Sequence, residues 1–176
     1  SVGLSAIVET CGLGERELTM ADIIFKIGPR INASGRMQNG SEAVELLVEK
    51  DYDAALERAA RINLYNEARK DLDKQITEEA TERVRQLPDL DARRAIVLTG
   101  DTWHKGAIGI VASRLTELFY RPSVVLTCTD GIATGSARSV TGFDVYKAVQ
   151  SCADLLENFG GHTYAAGLSM KVENVP

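Results

Sequence analysis

Between Asp53 and Leu87 the chain runs without a single glycine or proline, and Pro88 then ends the run. Apolar residues recur at 56, 60, 64, 68, 72, 76, 80, 84 and 87, which predicts one uninterrupted helix. Such a helix is about 50 Å long, more than the width of a small domain. The spacing is nearer four than 3.6, so the apolar stripe winds roughly 220° around the axis between its ends. One end therefore faces one body and the other end a second body. A connecting helix between two domains is expected, with Glu57, Arg61, Lys70, Asp73, Lys74, Glu78 and Glu79 on its solvated side.

Before it, residues 3–11 carry Leu4, Ile7, Val8 and Cys11 at helical spacing. Thr19 followed by Asp22 has the form of an N-cap with an acid in the first turn. A short helix through Ile23, Ile24 and Ile27 is expected to stop at Gly28-Pro29. The segment Gly28-Pro-Arg-Ile-Asn-Ala-Ser-Gly-Arg-Met37 then reads as a loop that sets Arg30, Asn32 and Arg36 among small residues. Ser41 is expected to cap a helix whose apolar face is Ala43, Val44, Leu47 and Val48.

After Pro88 the pattern changes. Strands are expected at Arg94–Thr99, Pro122–Thr127, Ile132–Ser139 and Tyr164–Val172, with helices at Ala107–Tyr120 and Phe143–Leu156 and a tight turn at Thr129-Asp-Gly131. Strand, helix, strand, strand, helix, strand predicts an α/β fold with a small mixed sheet and flanking helices. The chain opens at a serine in mid-pattern, and a piece cut from a longer protein is expected.

Net charge is −5, and acid gathers in the middle: residues 1–50 hold 5 Lys/Arg against 7 Asp/Glu, residues 51–92 hold 7 against 11, and residues 93–176 hold 8 against 7. This distribution argues against a broad basic sheet for coating nucleic acid and points to a local phosphate site built from a few arginines and backbone amides. Cys11, Cys128 and Cys152 lack metal-ligand spacing and read as reduced thiols. No apolar run approaches the roughly 20 residues of a membrane span, so a cytoplasmic protein without a membrane partner is expected.

Both histidines fall in glycine-rich segments. Gly160 and Gly161 permit positive φ and leave N–H groups uncovered, which would form an anion-binding nest under His162. His104 opens Trp103-His-Lys-Gly-Ala-Ile-Gly109, whose glycines let a helix start pack closely with its amides free. Gly135-Ser-Ala-Arg138 presents Arg138 beside Ser136, and a guanidinium fork among small residues suits bidentate phosphate recognition. A histidine bonded to a neighbouring carbonyl and arginines in surface ion pairs are the plain structural alternatives. Trp103 reads equally as a base-stacking platform or as an anchor at the edge of a core.

Asn158-Phe-Gly-Gly-His-Thr-Tyr-Ala-Ala-Gly167 resembles the Gly-Gly-His-x-x-Ala-Ala-Gly signature of the DHH-associated domain, the C-terminal half of the DHH phosphoesterases. The Trp103-to-Leu115 and Gly135-to-Ser139 segments also resemble that family. Gly28-Pro-Arg-Ile-Asn-Ala-Ser-Gly-Arg-Met37 resembles a segment just after the metal domain of the RecJ nucleases, single-strand-specific 5′→3′ exonucleases. The resemblance implies residues 1–50 as the end of a DHH metal domain, 51–90 as a connecting helix and 91–176 as the DHH-associated, substrate-binding domain.

It implies further that the parent degrades single-stranded DNA in repair and recombination, with helicases or single-strand-binding protein as partners. Gly160, Gly161 and His162 would hold the scissile or neighbouring phosphate, His162 as the catalytic member. Arg138 and Ser136 would grip terminal phosphate oxygens, with His104 as a further phosphate-binding residue, while Arg30, Asn32 and Arg36 would line the strand's path. Two Mn²⁺ or Mg²⁺ ions would be held upstream, since the chain has no Asp-His-His run and no histidine beyond His104 and His162. Alone it is expected to cleave nothing. Other members of the superfamily imply two alternatives: a phosphodiesterase for oligonucleotides or cyclic dinucleotides, and a non-catalytic nucleic-acid-binding scaffold.

Overall fold

A computed structural model describes residues 1–14, 16–37 and 39–175. The chain divides into two compact units, Ser1–Asp71 and Leu72–Pro176. The first is helical: α1 Val2–Thr10, α2 Met20–Asp22, a π-turn Ile23–Ile27, α3 Gly28–Met37, α4 Ser41–Val48 and the first half of α5, Tyr52–Arg85. Its core is Ala6, Ile7, Leu13, Ile27, Ala43, Leu46, Ala55, Ala59 and Ile62. Gly3 is required here: a Cβ on it would stand 1.7 Å from the Leu46 carbonyl oxygen, so α1 lies directly on the backbone of α4.

Two local expectations for this unit are corrected. The helix does not stop at Gly28-Pro29. The Gly28 N–H reaches back five residues to the Ile23 carbonyl, and this wider turn takes up the proline, which has no N–H to give and whose ring would crowd a regular turn. The segment read as a loop is therefore α3. At α4 the cap is Gly40, not Ser41; the Asn39 side chain instead accepts the Ser41 N–H at 3.1 Å. Ala43 and Leu46 are the buried pair, while Val44 and Val48 stay 61% and 67% exposed, because α1 meets α4 at Leu46.

The Thr19 cap is present as expected, in reciprocal form: the Thr19 side chain accepts the Asp22 N–H and the Asp22 carboxylate accepts the Thr19 N–H. Asp22 is buried yet also holds Arg16 at 2.5 Å and Lys26 at 3.2 Å. The Arg16 bond, followed by those from Thr19, pushes its carboxyl far below the ordinary 3.8. A depressed folded-state value means that its contribution is complete above the unfolded-state value and is lost as pH falls toward the folded one. We expect unfolding free energy to decline from about pH 4 downward, and Asp22→Asn to remove part of that slope. Equal slopes in pH-dependent denaturant melts would refute it.

The second unit holds the rest of α5, β1 Ile96–Thr99, α6 Ile108–Phe119, β2 Ser123–Thr129, β3 Ile132–Arg138, α7 Val145–Gln150, β4 Asn158–His162 and β5 Ala165–Lys171. The strands form one mixed sheet in the order β1-β2-β3-β5-β4, with β1 and β2 parallel and the rest antiparallel. The α6 crossover joins the parallel pair. At the β2–β3 turn Asp130 and Gly131 both take positive φ, 51° and 77°, as a tight hairpin between twisted strands requires.

Each sheet face has its own core. Ile76, Ala80 and Val84 of α5 and Ile108, Val111, Ala112 and Leu115 of α6 close over Ile96, Leu98 and Val125. On the opposite face, Val145 and Val149 of α7 pack against Leu126, Ala133, Ala137, Ala166 and Leu168. The expected helix Phe143–Leu156 is broken into α7 and a short 3₁₀ turn, Ala153–Leu155. The expected stripe along α5 holds only in its second half, where Ile76, Ala80 and Val84 are buried; in the first half Ala60, Leu64 and Ala68 are exposed, because the helical core is filled by Ala55, Ala59 and Ile62 instead.

Candidate functional site

The face of the sheet that α6 covers is covered only over β1, β2 and part of β3. Over β3, β5 and β4 it is left open, and strand register sorts its residues into rows. Arg138 is opposite Ala165, which is opposite His162; Ser136, Gly167 and Gly160 form the next row; Thr134, Ser169 and Asn158 form the third. Side chains two apart on a strand share a face, so all nine lie on one surface. Arg138 and His162 sit two strand spacings apart, about 10 Å, with only the methyl of Ala165 between them.

The Gly-Gly-His segment is thus a strand and not a looped nest. Its alternation places Asn158, Gly160 and His162 on the open face, and Phe159 and Gly161 on the other. Only Gly161 takes a positive φ, 152°, and a Cβ there would lie 2.3 Å from the Ala165 carbonyl oxygen. A Cβ on Gly160 meets no atom within 4 Å. These neighbours should respond oppositely to alanine. Gly161→Ala is expected to destabilise by about 2–4 kcal/mol from backbone strain and crowding, whereas Gly160→Ala should be neutral or stabilising. Similar chemical melts for the two variants would count against this geometry.

Arg138 is half-buried and its Nη1 donates to Ser136 Oγ and to the Ala137 carbonyl, both at 2.8 Å. Gly109, in the first turn of α6, rests on this pair: a Cβ there would stand 3.1 Å from Arg138 Nη2 and 3.2 Å from Ser136 Oγ. The helix start has no side-chain cap. A positive helix end, a guanidinium fork and a hydroxyl therefore meet at one edge of the open face, an arrangement suited to anionic oxygen.

The two histidines have the same local geometry. His162 Nδ1 accepts the Tyr164 N–H at 3.3 Å, and His104 Nδ1 accepts the Gly106 N–H at 3.0 Å. In the neutral ring the proton then sits on Nε2. His162 is exposed on the open face, while His104 is half-buried in the turn leading to α6. Trp103 is an anchor and not a stacking platform: it is 4% exposed, its indole donates to Glu79 at 3.1 Å, and Arg83 lies over its ring at 5.1 Å.

In the first unit, Arg30 donates from Nε to Asn63 Oδ1 and from Nη1 to the Lys26 carbonyl, both at 2.8 Å. It ties α3 to α5. Asn32 and Arg36 are exposed one helical turn apart, so the helix groups these two and turns Arg30 to another side.

Sequence reasoning missed Thr134, Asn158, Gly167, Ser169 and Lys105. With Gly160 they line a groove of about 570 Å³ beside the Arg138–Ala165–His162 row. The available signal was period-two alternation, in Thr134-x-Ser136-x-Arg138 and in Asn158-x-Gly160-x-His162. Among the described residues no group of three or more His, Cys, Asp or Glu side chains could hold a metal ion, and no helix is long and apolar enough to cross a membrane.

Residues 92–176, which hold this mixed sheet and its bare face with Arg138, Ser136, Gly160 and His162, match the DHHA1 domain family. Over nearly its whole length the chain resembles the single-stranded-DNA-specific exonuclease RecJ. The Bacillus subtilis (strain 168) protein is 41% identical over 99% of this chain, and the Haemophilus influenzae protein is 35% identical over 98%. The crystal structure of RecJ in complex with Mg²⁺ from Thermus thermophilus superposes with a TM-score of 0.83 at 32% identity, covering 97% of this chain and 26% of that one. An exonuclease RecJ bound to manganese gives 0.80 at 31% identity, covering 97% of this chain and 41% of that chain. The chain spans only 22% and 31% of the two curated relatives.

Proposed function

We propose that this chain is the substrate-gripping part of a single-stranded-DNA-specific exonuclease that hydrolyses phosphodiesters from a 5′ end. In this reading residues 1–50 end the metal-bearing domain, 51–90 connect, and 91–176 bind substrate. The observation that supports it most is the Arg138–Ala165–His162 row, a cation and a ring N–H donor on one face about 10 Å apart with only the Ala165 methyl between them, beside the uncapped α6 start. Arg138 and Ser136 grip the oxygens of the terminal phosphate. Gly160 leaves the surface low enough for close approach, Gly161 lets the strand end bend back toward β5, and His162 donates Nε2–H to the scissile or neighbouring phosphate. His104 holds the turn that delivers Lys105 and the α6 start, and Asn32 and Arg36 contact the strand from the first unit while Arg30 braces α3.

Exonucleases of this kind use two Mn²⁺ or Mg²⁺ ions to activate water and steady the leaving oxygen. The described residues do not fit such a centre, so the ions bind elsewhere in the intact protein and this chain supplies grip and orientation. The protein acts in the cytoplasm in DNA repair and recombination, with helicases or single-strand-binding protein presenting the strand.

The test is nuclease activity of the intact protein with manganese on 5′-phosphorylated DNA labelled at either end. Release of 5′ nucleotides from single strands, with duplexes resistant, is the expected result. Cleavage restricted to dinucleotides would replace this reading with an oligonucleotide phosphodiesterase, and no cleavage of any substrate would leave a binding scaffold.

A further inference from the structure

Glycine weakens a strand, and a strand keeps one for a backbone turn, for close packing or for approach by something outside. Gly161 has its positive φ, Gly135 has Leu126 at 2.5 Å from a would-be Cβ, and Gly109 has Arg138 and Ser136. Gly160 and Gly167 have none of these: no positive φ, and no atom within 4 Å of a Cβ built on either. They are direct cross-strand partners. Together they leave a flat strip of bare peptide on the floor of the groove. What remains to explain them is a flat group arriving from outside.

The groove extends past any phosphate. From the Arg138–His162 row to the Thr134–Ser169–Asn158 row is four residues along the strands, about 13 Å. The far row offers two hydroxyls and a carboxamide, neutral groups that both donate and accept, with Lys105 at the rim. Such a set suits the edge of a base or sugar better than a second phosphate, which calls for fixed cations.

We propose that the Gly160–Gly167 strip seats the nucleoside of the end nucleotide, its base lying on the strip and its polar edge turned to Asn158, Ser169 and Thr134. This rests on the reading that the Arg138–His162 row holds the terminal phosphate. The groove is thus the subsite that positions the end nucleotide, and the neutral far row reads its base edge.

Three probes separate the two claims: deoxyadenosine monophosphate, deoxyribose 5-phosphate and inorganic phosphate, each titrated into the isotope-labelled chain with backbone amide shifts as readout. All three should move Ser136, Arg138, Ala165 and His162. Only the nucleotide should also move Thr134, Asn158, Gly160, Gly167 and Ser169. Gly167→Ala should melt no lower than the parent, lose about tenfold or more in nucleotide affinity and keep its phosphate affinity; Asn158→Ala gives a second variant that leaves the strip intact and should also weaken nucleotide alone. A nucleotide that shifts the same amides as deoxyribose phosphate, or alanine variants that bind it as tightly as the parent, would overturn the nucleoside subsite alone. Silence with all three probes would remove the phosphate row and this proposal with it.

Discussion

Trp103→Ala is expected to lower the unfolding free energy of the second unit by about 3–5 kcal/mol, the range for deleting a large aromatic from a packed core. The indole is buried between α5 and the turn before α6. Gly100 makes room for it, since a Cβ there would lie 2.0 Å from the ring. The Trp103 carbonyl also accepts the buried Thr127 hydroxyl at 2.6 Å, so the turn is fixed to β2 through the same residue. Trp103→Phe keeps most of the packing and loses the bond to Glu79, and a smaller drop of about 1 kcal/mol is expected. Chemical denaturation followed by circular dichroism measures both. A loss under about 1 kcal/mol for the alanine variant would mean that the turn carrying His104 and Lys105 is held by something other than this anchor.

The second large effect is on activity. Arg138→Ala in the intact protein is expected to reduce kcat/KM by about a hundredfold or more, within the range of about 2–5 kcal/mol for truncating one partner of a hydrogen-bonded charge pair at a binding site. Arg138→Lys should recover little, because a compact ammonium lacks the planar fork that spans Ser136 and the substrate oxygens together. Arg138 is half-buried, so a thermal melt alongside checks that the fold survives. An unchanged kcat/KM in a folded Arg138→Ala protein would take the guanidinium out of the site.

How much of this was legible depended on whether a local rule met tertiary context. The long helix α5 was, because neither glycine nor proline interrupts it, but its buried face was legible only at Ile76, Ala80 and Val84; in its first half the tertiary core selects Ala55, Ala59 and Ile62 over the expected Ala60, Leu64 and Ala68. The Thr19–Asp22 cap was as well, being a contact between residues three apart. Gly28-Pro29 misled because a helix can pass a proline by widening one turn, and the widening lies in backbone bonding that composition does not record. The Gly-Gly-His strand misled for a related reason. Glycines suggest a loop, but here Gly160 pairs with Gly167 across the sheet, and the partner needed to see this lies beyond the next turn. Arg138, Ser136 and His162 were found as separate segments, whereas their common row exists only in the register of β3, β5 and β4. The far row of Thr134, Asn158 and Ser169 is chemically plain, and only its alignment gives it a role.

The central claim, that the Arg138–His162 row holds the 5′-terminal phosphate, is tested most directly by crossing one protein change with one substrate change. The intact protein and its Arg138→Ala variant are each given single strands ending in a 5′-phosphate or a 5′-hydroxyl, and kcat/KM is measured for all four pairs. The account predicts that the parent strongly prefers the phosphorylated end and that the variant barely distinguishes the two. If the variant keeps the parent's full preference, the terminal phosphate is held elsewhere and the row has another purpose.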